Sequence, residues 1–249
     1  MKKENTIFGI RPVIEALKSG KEIEKIMIQK GLRGEGFHQL NSLVKELEIP
    51  VQFVPVDKLN QMTRLNHQGV MAFISEISYQ KLESIIPFSY EQGKSPLILM
   101  LDRITDVRNL GAIARTAECA GVDGLLLPEK GSAQLNAVAV KTSAGALYTL
   151  PVSRSPNLKE AIQFMKNSGL RIIAATEKAS IDYTEADFTK PMALIMGSEE
   201  DGVSEEYLKL TDQRVRIPLL GDIESLNVSV ATGVILYEIL RQRKLAEIS

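Results

Sequence analysis

Three stretches of this 249-residue chain collect side chains able to handle anions, hydroxyls and protons. In the first, Asp102-Arg103-Ile104-Thr105-Asp106-Val107-Arg108-Asn109 follows an apolar run and precedes a helical pattern, with Arg115 six residues beyond Asn109. Free N–H groups at a helix start hold phosphate or other anions, and arginines add a planar five-donor fork. In the second, Glu199-Glu200-Asp201 stands between Gly197 and Gly202, directly after the apolar run 193–196. In the third, Ser225 and Asn227 come just before a long apolar-rich segment. Each has a plainer reading. Asn109, Ser225 and Asn227 are all good helix caps, while arginines and acidic runs are usually solvated surface. Arg115 fits that reading less well, because Ile113, Ala114, Ala117 and Ala120 around it look like a packed face. The polar residues fall at junctions between elements, which is where α/β proteins build ligand pockets.

Several chemistries are excluded or disfavoured. Gly197-x-x-x-x-Gly202 is not followed by Lys and Ser/Thr, so it is no phosphate-binding P-loop. No G-x-G-x-x-G follows any strand pattern, against a dinucleotide enzyme of the usual type. One cysteine, Cys119, and two histidines, His38 and His67, leave no Cys- or His-based metal set. The run 199–201 reads as a solvated turn rather than a Mg²⁺ site, since no matched oxygen ligands appear elsewhere. Cys119, placed mid-helix among alanines, reads as core. No apolar run approaches the length that spans a bilayer, and the opening MKKENTIFGIRP lacks a secretory core, so a reducing cytoplasm is expected. Net charge is −1; residues 1–76 carry eleven Lys/Arg against nine Asp/Glu, and residues 95–249 carry seventeen against twenty. That asymmetry is too weak to announce a nucleic-acid partner by itself.

The elements that must position these residues divide the chain in two. Residues 10–17 predict a short helix with Pro12 in its first turn, 23–29 a strand, 37–47 a helix, 51–56 a strand leading into a small helix, and 70–74 another strand. This is a compact α/β module over 1–76. Residues 77–94 have weak periodicity and several turn-favouring clusters, and read as a linker. From 95 to 249 the pattern changes: apolar runs at 96–101, 125–127, 170–176 and 192–196 alternate with helical patterns at 110–120, 133–147 and 158–167. Strands buried on both faces look like this, so a parallel sheet covered by helices on both sides is expected. A second short apolar piece at 215–219 closes at Gly221-Asp222, and a long final helix opens around 225–231.

Taken together, three blocks resemble the SpoU (TrmH-like) family of RNA ribose 2′-O-methyltransferases, in the SPOUT superfamily. Asn109-Leu110-Gly111-Ala112-Ile113 with Arg115-Thr116-Ala117 fits the family's first motif. Gly197-Ser198-Glu199, Gly202 and Arg216-Ile217-Pro218 fit the second, and Ser225-Leu226-Asn227-Val228-Ser229-Val230-Ala231 the third. Order and separation match across nearly all of 95–245. The front is similar to the family's small RNA-binding domain, through Phe8-Gly9-Ile10, Val13-Ile14-Glu15-Ala16-Leu17 and His67-Gln68-Gly69-Val70. That two-domain form most resembles the bacterial 23S rRNA guanosine 2′-O-methyltransferases. Val107-Arg108, Ser198 and Glu200-Asp201 depart from the common pattern.

The resemblance implies a C-terminal trefoil knot holding S-adenosylmethionine, bound by the loops at Met196-Gly197, Ile217-Pro218-Leu219 and Leu226, without metal. It implies a homodimer whose active sites draw on both copies, and an RNA substrate. It also places Arg115 at the reacting 2′-hydroxyl; since a guanidinium is almost never deprotonated, Arg115 is expected there to clamp the adjacent phosphate and stabilise developing alkoxide charge. Asn109, Glu199, Ser225 and Asn227 would orient the ribose and Arg115. A tRNA substrate, or a non-catalytic RNA-binding role in ribosome assembly, is the alternative.

Overall fold

The computed structural model describes residues 6–248. Residues 1–5, part of the opening segment read above for a secretory signal, and Ser249 lie outside them. Contacts divide the chain into two compact units, Met1–Ser78 and Tyr79–Ser249.

The first unit is built from β1 (Thr6–Phe8), α1 (Ile10–Lys18), β2 (Ile23–Gln29), α2 (Glu35–Glu46), β3 (Val51–Val54), α3 (Val56–Met62) and β4 (Val70–Ile74). Its sheet runs β1-β4-β2-β3, with β4 antiparallel to both neighbours and β2 parallel to β3. Ile26 and Ile28 of β2 meet Val13, Ile14 and Leu17 of α1 and Leu40 and Val44 of α2 on one face. Met27, Met71 and Leu59 close the other face. The strand β1 was not anticipated, because three residues are too few to display a period.

In the second unit, α4 (Leu82–Glu91), β5 (Leu97–Leu101), α5 (Val107–Cys119), β6 (Gly124–Pro128), α6 (Ala137–Thr142), β7 (Val152–Ser155), α7 (Leu158–Asn167), β8 (Arg171–Ala175), β9 (Met192–Met196), α8 (Glu205–Leu208), β10 (Gln213–Val215) and α9 (Val228–Ile248) follow one another. The sheet is wholly parallel, in the order β10-β8-β9-β5-β6-β7. Every residue of β5 and β9 is buried, as their continuous apolar runs predicted. Ile98, Met100, Ala193 and Ile195 pack with α4 and α7. Leu97, Leu99, Leu101 and Leu194 are buried on the opposite face, where α5 packs against α6 and α9. Each such Leu or Ile contributes roughly 1.5–3 kcal/mol on leaving water.

Two expectations are corrected here. Residues 77–94 are not simply a linker: α4 lies within them, with Leu82, Ile85 and Ile86 buried in the second unit's core. Pro87, which removes a backbone donor inside the helix, had disguised it. The small-residue stretch 133–147 is not one helix but α6 and a separate 3₁₀ turn at Ala146–Tyr148, divided by Ala144 and Gly145 at φ of 51° and 88°. Its small residues serve close approach instead. A Cβ on Gly111 of α5 would lie 2.7 Å from the Thr142 Cβ and 2.8 Å from the Ala139 carbonyl oxygen.

From β5 the chain builds outward through β6 to β7, then crosses to the other side for β8, β9 and β10. The loops leaving β5 and β9 therefore flank the point where the strand order reverses, the position at which open α/β sheets bind ligands.

Candidate active site

The loop after β5 ends at Asp106, whose Oδ1 accepts the backbone N–H groups of Arg108 (2.7 Å) and Asn109 (2.8 Å). Asp106 is thus the N-cap of α5. Asn109, whose plainer reading was the cap itself, is the third helical residue, and its side chain is left for other work. Its Nδ2 donates to Glu199 Oε1 at 3.1 Å, and its Oδ1 accepts from Asn227 Nδ2 at 3.1 Å.

Asn227 does two jobs with one amide. Its Oδ1 caps α9 by accepting the N–H groups of Ser229 (3.0 Å) and Val230 (3.4 Å), together with the Ser229 hydroxyl. Its Nδ2 reaches Glu199 Oε1 at 2.6 Å. Glu199 Oε1 accepts a third donor, the Val228 N–H, at 3.2 Å. A carboxylate in front of a helix N-terminus is favoured by the unpaired N–H groups there. Residues 118 positions apart in sequence, Asn109 and Asn227, therefore meet on one acidic oxygen.

Glu199 is carried by the loop 197–204 after β9. The loop closes on itself through Gly202 N–H to the Ser198 carbonyl (3.0 Å) and Asp201 N–H to the Ser198 hydroxyl (3.1 Å). It needs glycine at 197, because a Cβ there would stand 2.0 Å from the Gly202 carbonyl carbon. The backbone that approaches Gly197 most closely is that of its own loop.

At the other end the loop is tied to β5. The buried Asp102 carboxylate accepts the Ser204 N–H (2.7 Å) and hydroxyl (2.6 Å). Arg103 donates from Nε to Asp102 Oδ1 (3.1 Å), from Nη1 to Asp201 Oδ2 (2.7 Å) and from Nη2 to the Gly202 carbonyl (3.1 Å). The Asp102 hydrogen bond raises the guanidinium pKa above its ordinary value. Burial beside the same carboxylate pushes the Tyr207 phenol up to about 12. Asp102, Arg103 and Ser204 went unremarked as a set in the sequence, since nothing local marks residues that meet across a sheet.

Two cavities border Glu199. The larger, about 520 Å³, is lined by Met196, Gly197, Glu199, Ile217, Leu219, Ser225 and Leu226, all singled out from the sequence. Thr176, Glu177 and Lys178 at the end of β8 complete it and were not anticipated. Pro218 does not line it. The strand β10 ends at Val215, so the apolar piece 215–219 is mostly loop, held beside 181–183 by the Asp182–Arg216 bridge. The smaller cavity, about 310 Å³, lies against Arg103, Thr105, Asp106, Asn109 and Glu199.

Arg115 is exposed, lines neither cavity, and makes no hydrogen bond or ion pair among the described residues. Six residues along a helix from Asn109 amounts to about 9 Å and a rotation that points it elsewhere. Cys119, expected in the core, is exposed at the end of α5. Among the described residues no cluster of three or more His, Cys, Asp or Glu is arranged to hold a metal, and no helix is long and apolar enough to cross a membrane.

The model of the SpoU rRNA methylase family matches residues 96–237, and that of the RNA 2′-O ribose methyltransferase substrate-binding domain matches 6–80. The chain belongs to the SpoU methyltransferase family. A putative TrmH family tRNA/rRNA methyltransferase of Staphylococcus saprophyticus is 35% identical over 241 residues, covering 97% of each chain. Its Bacillus subtilis counterpart, YacO, is 34% identical and covers 95% of each. Among solved structures, the SpoU methyltransferase AviRb of Streptomyces viridochromogenes with bound AdoMet superposes with a TM-score of 0.63 at 26% identity, covering 96% of this chain and 90% of that one. An AdoMet-bound rRNA methyltransferase of Sinorhizobium meliloti gives 0.61 at 28% identity, covering 95% and 87%.

The chain is accordingly an RNA methyltransferase that uses S-adenosylmethionine. The larger cavity fits that donor: its size falls within the roughly 300–1,000 Å³ of small-molecule sites. Ile217, Leu219 and Leu226 offer apolar packing for a purine ring, and the loops 197–202 and 217–226 offer backbone polar groups.

Proposed function

We propose that this SpoU methyltransferase methylates a ribose 2′-hydroxyl in structured RNA, with a guanosine of 23S rRNA as the target. The observation that carries this reading is the junction of Asn109, Glu199 and Asn227 on the wall between the two cavities. S-adenosylmethionine in the larger cavity supplies an electrophilic methyl group. What the chain must supply is alignment and charge stabilisation for a poorly acidic hydroxyl. Asn109, locked by Glu199 and Asn227, presents a fixed amide beside the smaller cavity, where a ribose can be oriented. Ser225, exposed on the edge of the larger cavity, has no hydrogen-bond partner among the described residues and is free to contact donor or ribose.

Arg115 enters this reading through a second copy. Among the described residues it is unpaired, and it lies far along α5 from its own chain's cavities, so a homodimer in which each Arg115 serves the partner's site supplies the phosphate clamp. An exposed apolar stripe on α9, Val230 and Tyr237 seven residues apart, supports such an interface. The trefoil knot belongs to the same reading. The chain leaves β10 at one sheet edge, passes beside 181–183, and returns to the centre, where α9 packs on α5.

RNA recognition by the first unit is supported by its charge. Strands β1, β2 and β3 end, and β4 begins, at one edge of the sheet. There Arg11, Lys30, Arg33, Lys58 and Arg64 are all exposed, against Glu35 and Asp57. A cytoplasmic location fits an RNA substrate and the single free thiol.

Two experiments test the reading. Mapping 2′-O-methyl marks on total RNA with and without this gene identifies the nucleotide; loss of a tRNA mark, or of a base methylation, rejects the rRNA ribose. Arg115→Ala should lower single-turnover methylation by a factor on the order of a hundred while melting temperature and donor affinity stay near normal. Full activity in that variant removes Arg115 from the mechanism.

A further inference from the structure

We propose that Arg103 is a positioning residue for methyl transfer: although it borders the smaller cavity, its guanidinium is committed to the loop carrying Glu199, which it fastens to the end of β5, and it acts through that loop. The inference rests on the roles proposed above for Asn109, Glu199 and Asn227.

The backbone is the first sign that this side chain is needed. Arg103 has a φ of 59°, the left-handed region in which a Cβ crowds the carbonyl and glycine is at ease. An arginine there is held against its own conformational preference by what the guanidinium binds. Nε and Nη2 grip the two oxygens of Asp102 at 3.1 and 3.3 Å, Nη1 takes Asp201 at 2.7 Å, and Nη2 takes the Gly202 carbonyl at 3.1 Å. Of five N–H groups, these bonds leave one Nη1 hydrogen uncommitted, too little for a phosphate fork.

An isolated surface ion pair would carry no such role. Here the anchor, Asp102, has a side chain only 2% exposed, and the same carboxylate binds Ser204 through two further bonds. The loop is therefore pinned at 201–202 by Arg103 and at 204 by Asp102, with Glu199 on the closed turn between Gly197 and Gly202. Asn109 and Asn227 depend on where Glu199 Oε1 stands. A displacement of about 1 Å at a positioning group is enough to slow a reaction by on the order of a hundredfold.

Arg103→Gly is the informative variant, because it removes the clamp and relieves the backbone together. Full-length protein is assayed for single-turnover transfer from labelled S-adenosylmethionine to 23S rRNA taken from cells lacking the gene, for donor affinity, for RNA affinity and for melting temperature. Expected are a transfer rate lower by on the order of tenfold or more, unchanged RNA affinity, and a melting temperature close to that of the parent. Asp201→Ala, which breaks the same contact from an exposed side chain, should reproduce most of the loss. The double variant should be no slower than the slower single one. A full rate in Arg103→Gly overturns the proposal. So does weakened RNA binding with a normal rate at saturating RNA, and so do additive losses in the double variant. If Arg103→Gly does not fold, Asp201→Ala carries the test alone. Glu199→Ala, run in parallel, separates the two layers. If it too is fast, the reading of Glu199 fails and the clamp with it; if it is slow beside a fast Arg103→Gly, the clamp alone fails.

Discussion

Residues 197–204 and 217–227 both contribute to the larger cavity, but they are held in contrasting ways. The first segment is tied to β5 by Asp102 and Arg103, closed on itself by Ser198 and Gly202, and packed so tightly that Gly197 has no room for a methyl group. The second forms no hydrogen bond from Ile217 to Leu226 among the described residues, until Asn227 caps α9. It also exposes apolar side chains, with Leu220 fully open and Ile223 at 78%. One wall is preorganised by the chain that carries it, while the other has backbone groups and apolar surface still to satisfy. A methyl donor or a second copy of the chain has the chemistry to satisfy them. A wall that exists before the ligand can fix catalytic groups, and a wall completed by the ligand can admit and release it.

The sharpest way to break this contrast is a matched pair of glycine substitutions. Gly197→Ala drives a Cβ to 2.0 Å from the Gly202 backbone, so the first wall must open. Donor binding by calorimetry should fall below detection, and the melting temperature should drop. Gly221→Ala meets nothing within 4 Å in the second wall and should leave both near parental values, within about 0.5 kcal/mol. Equal damage from the two would abolish the distinction.

Glu199→Gln asks what the rigid wall is for. It keeps the shape but removes the charge that collects Asn109, Asn227 and the Val228 N–H. Transfer should slow by on the order of ten- to a hundredfold while donor affinity changes less than threefold or so. A change confined to donor affinity would make Glu199 a donor-binding residue. Hydrogen exchange then sharpens the second wall: amides 217–226 should exchange rapidly alone and slow on adding S-adenosylmethionine, with 197–204 protected in both states. Equal protection of both walls without donor would show that both are preorganised.

The smallest expected effect lies beyond the second wall, on α9. Hydrogen bonds from Arg241 and then Gln242 hold the Glu238 carboxyl below its ordinary value of 4.5. A group depressed in the folded state stabilises it above the unfolded value and loses that contribution as pH falls through the folded one. Melting temperature should therefore decline as pH falls below about 4.5, and Glu238→Gln should make the decline shallower. An unchanged slope would mean that Glu238 contributes no linkage.

Much of this was legible in advance where a signal was local. The runs 97–101 and 192–196 announced buried strands because every residue is apolar, and both are fully buried. Polar residues at the ends of those runs line the two cavities. The signal failed where the determining contact was distant or the period short. Helix α4 is amphipathic too weakly to stand out around Pro87, and α6 owes its small residues to contact with Gly111 rather than to a long helix. Cys119 is exposed although Ala114, Ala117 and Ala120 are buried, because it stands about 200° around the helix from Ala117.

The sequence by itself marked which residues are candidates for the chemistry, because their types and local order are written along the chain: Asn109, Glu199, Ser225 and Asn227 at element junctions, and apolar Ile217, Leu219 and Leu226 between them. Only the tertiary structure decided how they combine. Whether Asn109 caps a helix or binds Glu199 depends on Asp106 taking the cap first and on β9 lying beside β5. Whether Arg103 is solvated or a clamp depends on Asp201 and Gly202, about a hundred residues away, returning to the end of its strand. Strand order and register place those partners, and a linear pattern of residue types carries the period of each element but not which neighbour it will find.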